Sequence, residues 1–256
     1  MLFLFCLCPG HAVFGAEDDS ADESSLEELL TLLLREDSQF RDLKFRSVVR
    51  AATDREVLPL EAGEKPDDRI REVLQKDMAG VMDQLNRPES PTNQEGRINE
   101  VSAHFERKLR EKIDSREEFT CEVPQNEEGD SQVSGYPDLR MVHTPTGRVA
   151  YLDPKLVAEG ALDNGFRTFY YSPKGQTNKI LDDAHHLLIG IVHDRNTGNW
   201  EFLDWHLVDL YDFTVDLKAE FQAGNDDLYR PELLVGDEEG EDKGSGEEQD
   251  STGQQQ

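Results

Sequence analysis

Asp138, Asp153 and Lys155 are the residues of this chain whose type and spacing could do chemistry. They lie in Gly135–Val142 and Gly147–Leu156, which read as two short strands joined by a turn at His143–Gly147, where Pro145 and Gly147 punctuate β-forming residues. Side chains alternate along a strand, so Asp153 and Lys155 project to one side while Leu152 and Leu156 point to the other. Asp138, at the start of the first strand, reaches the same side as Asp153. Two carboxylates and an ammonium at one point on a sheet are costly unless something divalent or anionic sits among them. The chemistry that suits them is phosphodiester hydrolysis: carboxylate oxygens hold Mg²⁺, the ion polarises the phosphate and acidifies a water, and the lysine positions that water or stabilises charge. A surface hairpin with an ordinary ion pair is the other arrangement this spacing allows.

The surrounding elements must position those groups. Ile98, Val101, Phe105, Leu109 and Ile113 recur at helical spacing and give one apolar stripe, with Glu106 bordering it. Phe119–Val123 reads as a strand. Beyond Lys155, helical character returns at Asn178–His186 and runs into the β-branched strand Leu187–Asp194. Asn196–Asn199 forms a turn, and Trp200–Leu210 returns as the partner strand. The order is helix, three strands, helix, two strands.

Pro137-Asp138 followed by Asp153-Pro154-Lys155 resembles the signature of the PD-(D/E)xK nuclease superfamily, which includes many restriction endonucleases and Holliday-junction resolvases. The resemblance covers residues 95–222, and the element order matches the family's αβββαβ core with one strand added. It implies an α/β protein with a restriction-endonuclease-like core and a mixed, mainly antiparallel sheet. It also implies hydrolysis of DNA with Mg²⁺ or Mn²⁺. Asp138 and Asp153 become the metal ligands, Lys155 orients the attacking water, and Glu106 corresponds to the family's helical glutamate, with Glu100 as second choice. The departure is Pro154: proline has no N–H and is poorly tolerated in a central strand, so either that position faces no partner or the strand is irregular.

Arg167, Lys174 and Lys179, interleaved with Tyr170 and Tyr171, place positive charge after the motif and are candidate phosphate contacts, or solvated loop charges. His185 is a further candidate donor to the substrate phosphate. His185 and His186 are adjacent on the expected helix and point apart, which makes a chelate from that pair geometrically poor.

The charge is extreme, with 55 acidic against 27 basic residues and a net charge of -28. That excludes a general nucleic-acid coat, which carries a basic stripe, but not a nuclease whose acid is concentrated in tails. Residues 1–16 combine an apolar run with small residues before a cut after Ala16, as an export signal does, without its positive start. The run is too short to span a membrane. If the segment is removed, Cys121 is the only cysteine left, and neither a disulfide framework nor a cysteine metal site can be built.

The expected division is a signal peptide at 1–16, an acidic linker at 17–24, a helical N-terminal subdomain at 25–94, the nuclease-like domain at 95–222 and a disordered acidic tail at 223–256. The helical subdomain is either a substrate-recognition arm or a lid over the core. Ser25 with Glu28 starts its first helix as a capping box, and Ile70–Leu85 forms another, with Ile70, Val73, Leu74, Met78, Val81, Met82 and Leu85 as its stripe. The partner is DNA, with a second copy of the chain as a candidate for cutting both strands, and the place of action is periplasmic or extracellular, or cytoplasmic if the start codon is misassigned. The rival reading is an exported, non-catalytic binding module that keeps a nuclease-like fold.

Overall fold

The computed structural model describes residues 19–34, 40–131, 134–163, 169–173, 177–195, 199–218 and 222–234. The expected signal peptide, the candidate contacts Arg167 and Lys174, the turn at 196–198 and the tail from 235 onward lie outside them. The chain divides into two units, Arg35–Leu217 and a second made of Met1–Leu34 with Lys218–Gln256. In the second unit, α1 (Asp19–Leu34) and the short α5 (Asn225–Leu228) are helical. Among the described residues no helix is long and apolar enough to cross a membrane.

Unit Arg35–Leu217 is built on a mixed six-stranded sheet. Strands β3 (Phe119–Glu122), β4 (Leu139–His143) and β5 (Arg148–Ala158) form an antiparallel meander. β5 then pairs parallel with β6 (Ala184–Asp194), which carries antiparallel β7 (Glu201–Asp209) on its other side. β2 (Val57–Leu58) joins parallel to the start of β6, while β1 (Leu43–Lys44) and β8 (Thr214–Val215) form a separate pair.

Helices cover both faces of the sheet. On one face α3 (Lys65–Leu85) and α4 (Ile98–Asp114) pack Ile70, Leu74, Met78, Phe105 and Leu109 against Met141, Ala150, Leu152, Ile189 and Ile191. The stripe of α3 is buried as the spacing requires, and Phe105 meets Phe202 edge to face at 4.7 Å. Ile98, expected in the stripe of α4, is instead 44% exposed, because the helix has only begun there. On the other face α2 (Phe45–Thr53) inserts Phe45 among Tyr136, Phe169, Tyr171, His186 and Phe213. α2 and α3, assigned by sequence to a separate subdomain, therefore share their core with the sheet.

The helix expected over Asn178–His186 does not form. Ile180 N–H is bonded to the Asn178 side chain, Leu181 and Asp182 donate their N–H groups to the Tyr151 hydroxyl, and Ala184 already pairs with Val57 and Val149 in β6. Asn and Asp side chains offer the backbone local alternatives to a helix, and the tertiary partner on Tyr151 decides the outcome.

Pro154 sits in the middle of β5, opposite Ile189 of β6. Leu152 accepts from Asp138 N–H on the β4 side, and backbone groups alternate in direction, so position 154 also faces that side. β4 begins only at Leu139, opposite Leu152, so Pro154 lies past its end and no ladder bond is lost.

Candidate active site

The site forms where β4 starts and β5 runs past it. Gly135, at φ +82°, makes the turn that leads into Asp138, a backbone conformation that glycine adopts without strain. Tyr136 anchors this turn, its hydroxyl 2.8 Å from His186 Nδ1 and its ring edge-on to Phe45. Lys155 Nζ donates to Asp153 Oδ1 at 2.8 Å and to Asp138 Oδ2 at 3.1 Å, joining the two carboxylates expected to work together.

The depth of the groups differs. Lys155 keeps 31% of its side chain exposed while Asp153 keeps 2%, so the carboxylate is the floor and the ammonium the rim. Asp153 Oδ2 is buried with no hydrogen-bond partner. Burial pushes the Asp153 carboxyl up to about 7; Lys155 opposes this and the neighbouring Asp138 charge adds to it. Burial alone would lower Lys155, but Asp153 and Asp138 outweigh it and hold the ammonium above its ordinary value.

Glu106 approaches from α4. Its carboxyl accepts from Ser102 Oγ at 3.1 Å, and burial, then the charge of Asp138, raises its pKa, with Lys155 and Lys179 acting the other way. Glu100 does different work: its carboxylate accepts Arg97 N–H at 3.1 Å at the start of α4, half of a capping box. The structure thus brings Glu106 into the field of Asp138, while Glu100 is engaged at the helix start.

Of the substrate-contact candidates, Lys179 is 1% exposed, with Nζ donating to the Gly135 carbonyl at 2.6 Å. It presents no surface to a phosphate. His185 lies on the opposite face of the sheet from Tyr151 and Lys155, fully buried, with Nε2 3.1 Å from Asp67 Oδ1 and Nδ1 3.2 Å from the Leu58 carbonyl. It ties α3 to the β2–β6 pair and is not part of this site.

Tyr151 belongs to the site's frame and was not singled out by sequence. It stands two residues before Asp153 on the same face, the same alternation that pairs Asp153 with Lys155. Its hydroxyl donates to Asp182 Oδ2 at 2.8 Å, and Asp182 is gripped by Arg140 through Nε at 2.8 Å and a terminal nitrogen at 2.9 Å. The Arg140 guanidinium and the Tyr151 hydroxyl keep the Asp182 carboxyl below its ordinary value, against the opposing effect of burial.

The donor set suits a hard divalent cation: carboxylate oxygens, one of them buried and unpartnered, two of the groups raised toward neutrality by burial. Among the described residues no group of three or more aspartate, glutamate, histidine or cysteine side chains is placed to hold a metal ion, and the Lys155 ammonium lies between the two aspartates.

A family model described as the type II restriction enzyme MjaV family matches residues 38–232. A relative, the type II restriction enzyme MjaV of Methanocaldococcus jannaschii, is 25% identical over 224 residues, covering 84% of this chain and 96% of that protein.

Proposed function

Because the chain belongs to the type II restriction enzyme MjaV family, a family of DNA-cleaving nucleases, we propose that it is a Mg²⁺-dependent endonuclease acting through Asp138, Asp153, Lys155 and Glu106. Membership speaks against the non-catalytic binding module. The observation that carries the site assignment is the Lys155 ammonium spanning Asp138 and Asp153, beside a buried, unpartnered carboxylate oxygen.

In this reading Asp138 and Asp153 hold the ion, and Glu106 supports its outer shell. The bound cation supplies Lewis acidity, polarising the phosphate and acidifying a water. Lys155 Nζ has three hydrogens to donate: it retains Asp153 as an anchor and offers another hydrogen to the attacking water. Burial of Asp153 keeps bulk water from screening these charges. Export of the chain through residues 1–16 completes the proposal and rests on the sequence alone.

The test is plasmid cleavage by the full chain with Mg²⁺, Mn²⁺ or EDTA, beside Lys155→Ala and Asp153→Asn. We expect metal-dependent nicking or cutting that falls at least 1000-fold in both variants, as on the order of 4 kcal/mol of transition-state stabilisation is lost. Unchanged rates in both folded variants remove these residues from the mechanism.

A further inference from the structure

Arg110 is surrounded by carboxylates and bonded to none of them. It follows Glu106 by one turn on the same side of α4, and it stands half-buried in a cleft of about 610 Å³ between α4 and β3, the outer strand of the sheet. The cleft adjoins the candidate site, because Glu122 on its wall pairs with Arg140, two residues beyond Asp138. Three carboxylates line it, and each is held elsewhere. Asp114, one further turn along α4, accepts Cys121 N–H at 3.1 Å, Glu111 accepts from Lys108 Nζ at 2.9 Å, and Glu122 accepts from a terminal nitrogen of Arg140 at 3.1 Å. Among the described residues the Arg110 guanidinium makes no hydrogen bond or ion pair. In a chain with 55 acidic residues against 27 basic ones, a half-buried guanidinium is thus left with its donors unused.

We propose that Arg110 is a specificity-determining residue that reads the edge of a guanine beside the cut. This rests on the placing of the cutting site at Asp138, Asp153 and Lys155. The charge of the cleft decides between the two kinds of contact a protein makes with DNA. A phosphate subsite gathers positive charge, whereas here one free guanidinium stands among three carboxylates, which repel an anionic phosphate. A base edge is neutral and carries donors and acceptors together. The fork of Arg110 matches the O6 and N7 acceptors of guanine, while Asp114 and Glu122 offer oxygens to the amino group of the paired cytosine. Gln125, on the same wall, brings one group of each kind. The distance also fits. One turn of helix carries Arg110 about 6 Å along α4 from Glu106. Base pairs are stacked about 3.4 Å apart, so the position read lies within roughly three base pairs of the scissile bond.

The experiment has two readouts on the full chain. Random-sequence DNA duplexes are enriched by binding, with Ca²⁺ in place of Mg²⁺ and again in EDTA, and the ends left by Mg²⁺-dependent cleavage of genomic DNA are sequenced. Wild type, Arg110→Gln and Arg110→Lys are compared with Lys155→Ala. Wild type is expected to select a sequence with a G·C pair within three base pairs of the cut. Arg110→Gln should lose roughly 10- to 100-fold of the discrimination at that one position and keep the rest of the sequence. Arg110→Lys keeps the charge without the fork, so it should bind as tightly overall and still lose the preference. A wild-type protein that enriches no sequence under either condition overturns the proposal. So does either folded variant that selects the wild-type sequence with unchanged discrimination, or a loss of affinity spread evenly over all sequences, which marks a phosphate contact. If Lys155→Ala cuts as wild type while Arg110→Gln shifts the enriched sequence, the placing of the cutting site has failed and the reading of bases by Arg110 stands. If Lys155→Ala abolishes cleavage while both Arg110 variants behave as wild type, only the role of Arg110 has failed.

Discussion

The hydroxyl of Tyr151 and the carboxylate of Asp182 meet at 2.8 Å, and the same oxygen of Tyr151 accepts the N–H groups of Leu181 and Asp182. One phenol therefore turns a stretch of helix-compatible sequence into a fixed loop beside β5. Tyr151→Phe keeps the ring and removes that oxygen, leaving two amide hydrogens without their acceptor. The expected result is a loss of about 1–3 kcal/mol in stability and a drop in cleavage on the order of tenfold, as the Lys179 segment loosens. Chemical denaturation and single-turnover cleavage measure the two; full activity in the variant means that the loop does not hold the site.

The strand pair that carries Asp138, Asp153 and Lys155 was legible in the sequence because its signal is local. Period-two alternation places Asp153 and Lys155 on one face, and the Pro145/Gly147 turn brings Asp138 opposite them. The helical stripes of α3 and α4 were legible for the same reason. The loop at 178–183 was misread because its conformation is set by Tyr151 and Arg140, residues distant in sequence that no local pattern connects to it. His185 and His186 were expected as neighbours on a helix, pointing in different directions. On a strand they face opposite sides of the sheet, one bonded to Asp67 and the other to Tyr136.

Glu106 and Glu100 stand on the same helix; Glu106 shares the field of Asp138 and Lys155, while Glu100 is engaged at the helix start. Glu106→Gln is expected to weaken Mg²⁺ affinity by about 10- to 100-fold, because outer-shell carboxylates tune metal sites by that amount. Glu100→Gln should leave metal dependence unchanged and lower the melting temperature slightly through a weakened helix start. Cleavage rates across a Mg²⁺ series for both variants decide the matter, and equal midpoints would return Glu106 to the role of a helix charge.

His186 is buried among Tyr136, Tyr151 and Phe45, and burial pulls its pKa down to about 3. The unfolded chain binds a proton near the ordinary histidine value of about 6.5, well before the folded chain does. The stability that follows is present above that value and is lost as pH falls toward 3. On the order of a few kcal/mol is at stake across this window. His186→Phe deprives Tyr136 of its partner and should be less stable at pH 7, but it should lose less on acidification. Urea denaturation of both proteins at pH 7, 5 and 4 compares the slopes; parallel curves would show that His186 does not carry the acid sensitivity.

Pro154 tests whether the departure from the family pattern matters to the chemistry. It lies between Asp153 and Lys155, opposite Ile189, and past the end of β4 at Leu139. Its missing N–H therefore leaves no ladder bond unmade, while its ring restricts the backbone between the two candidate catalytic side chains. Pro154→Ala restores an N–H that water can satisfy and gives the unfolded chain more freedom, at a cost of about 0.4–1 kcal/mol. Cleavage should stay within about threefold of wild type, since the alternation that sets Asp153 and Lys155 on one face is unchanged. Thermal denaturation and plasmid cleavage check both numbers. A large loss of activity without loss of stability would mean that the proline ring, and not the strand alone, sets the distance between Asp153 and Lys155.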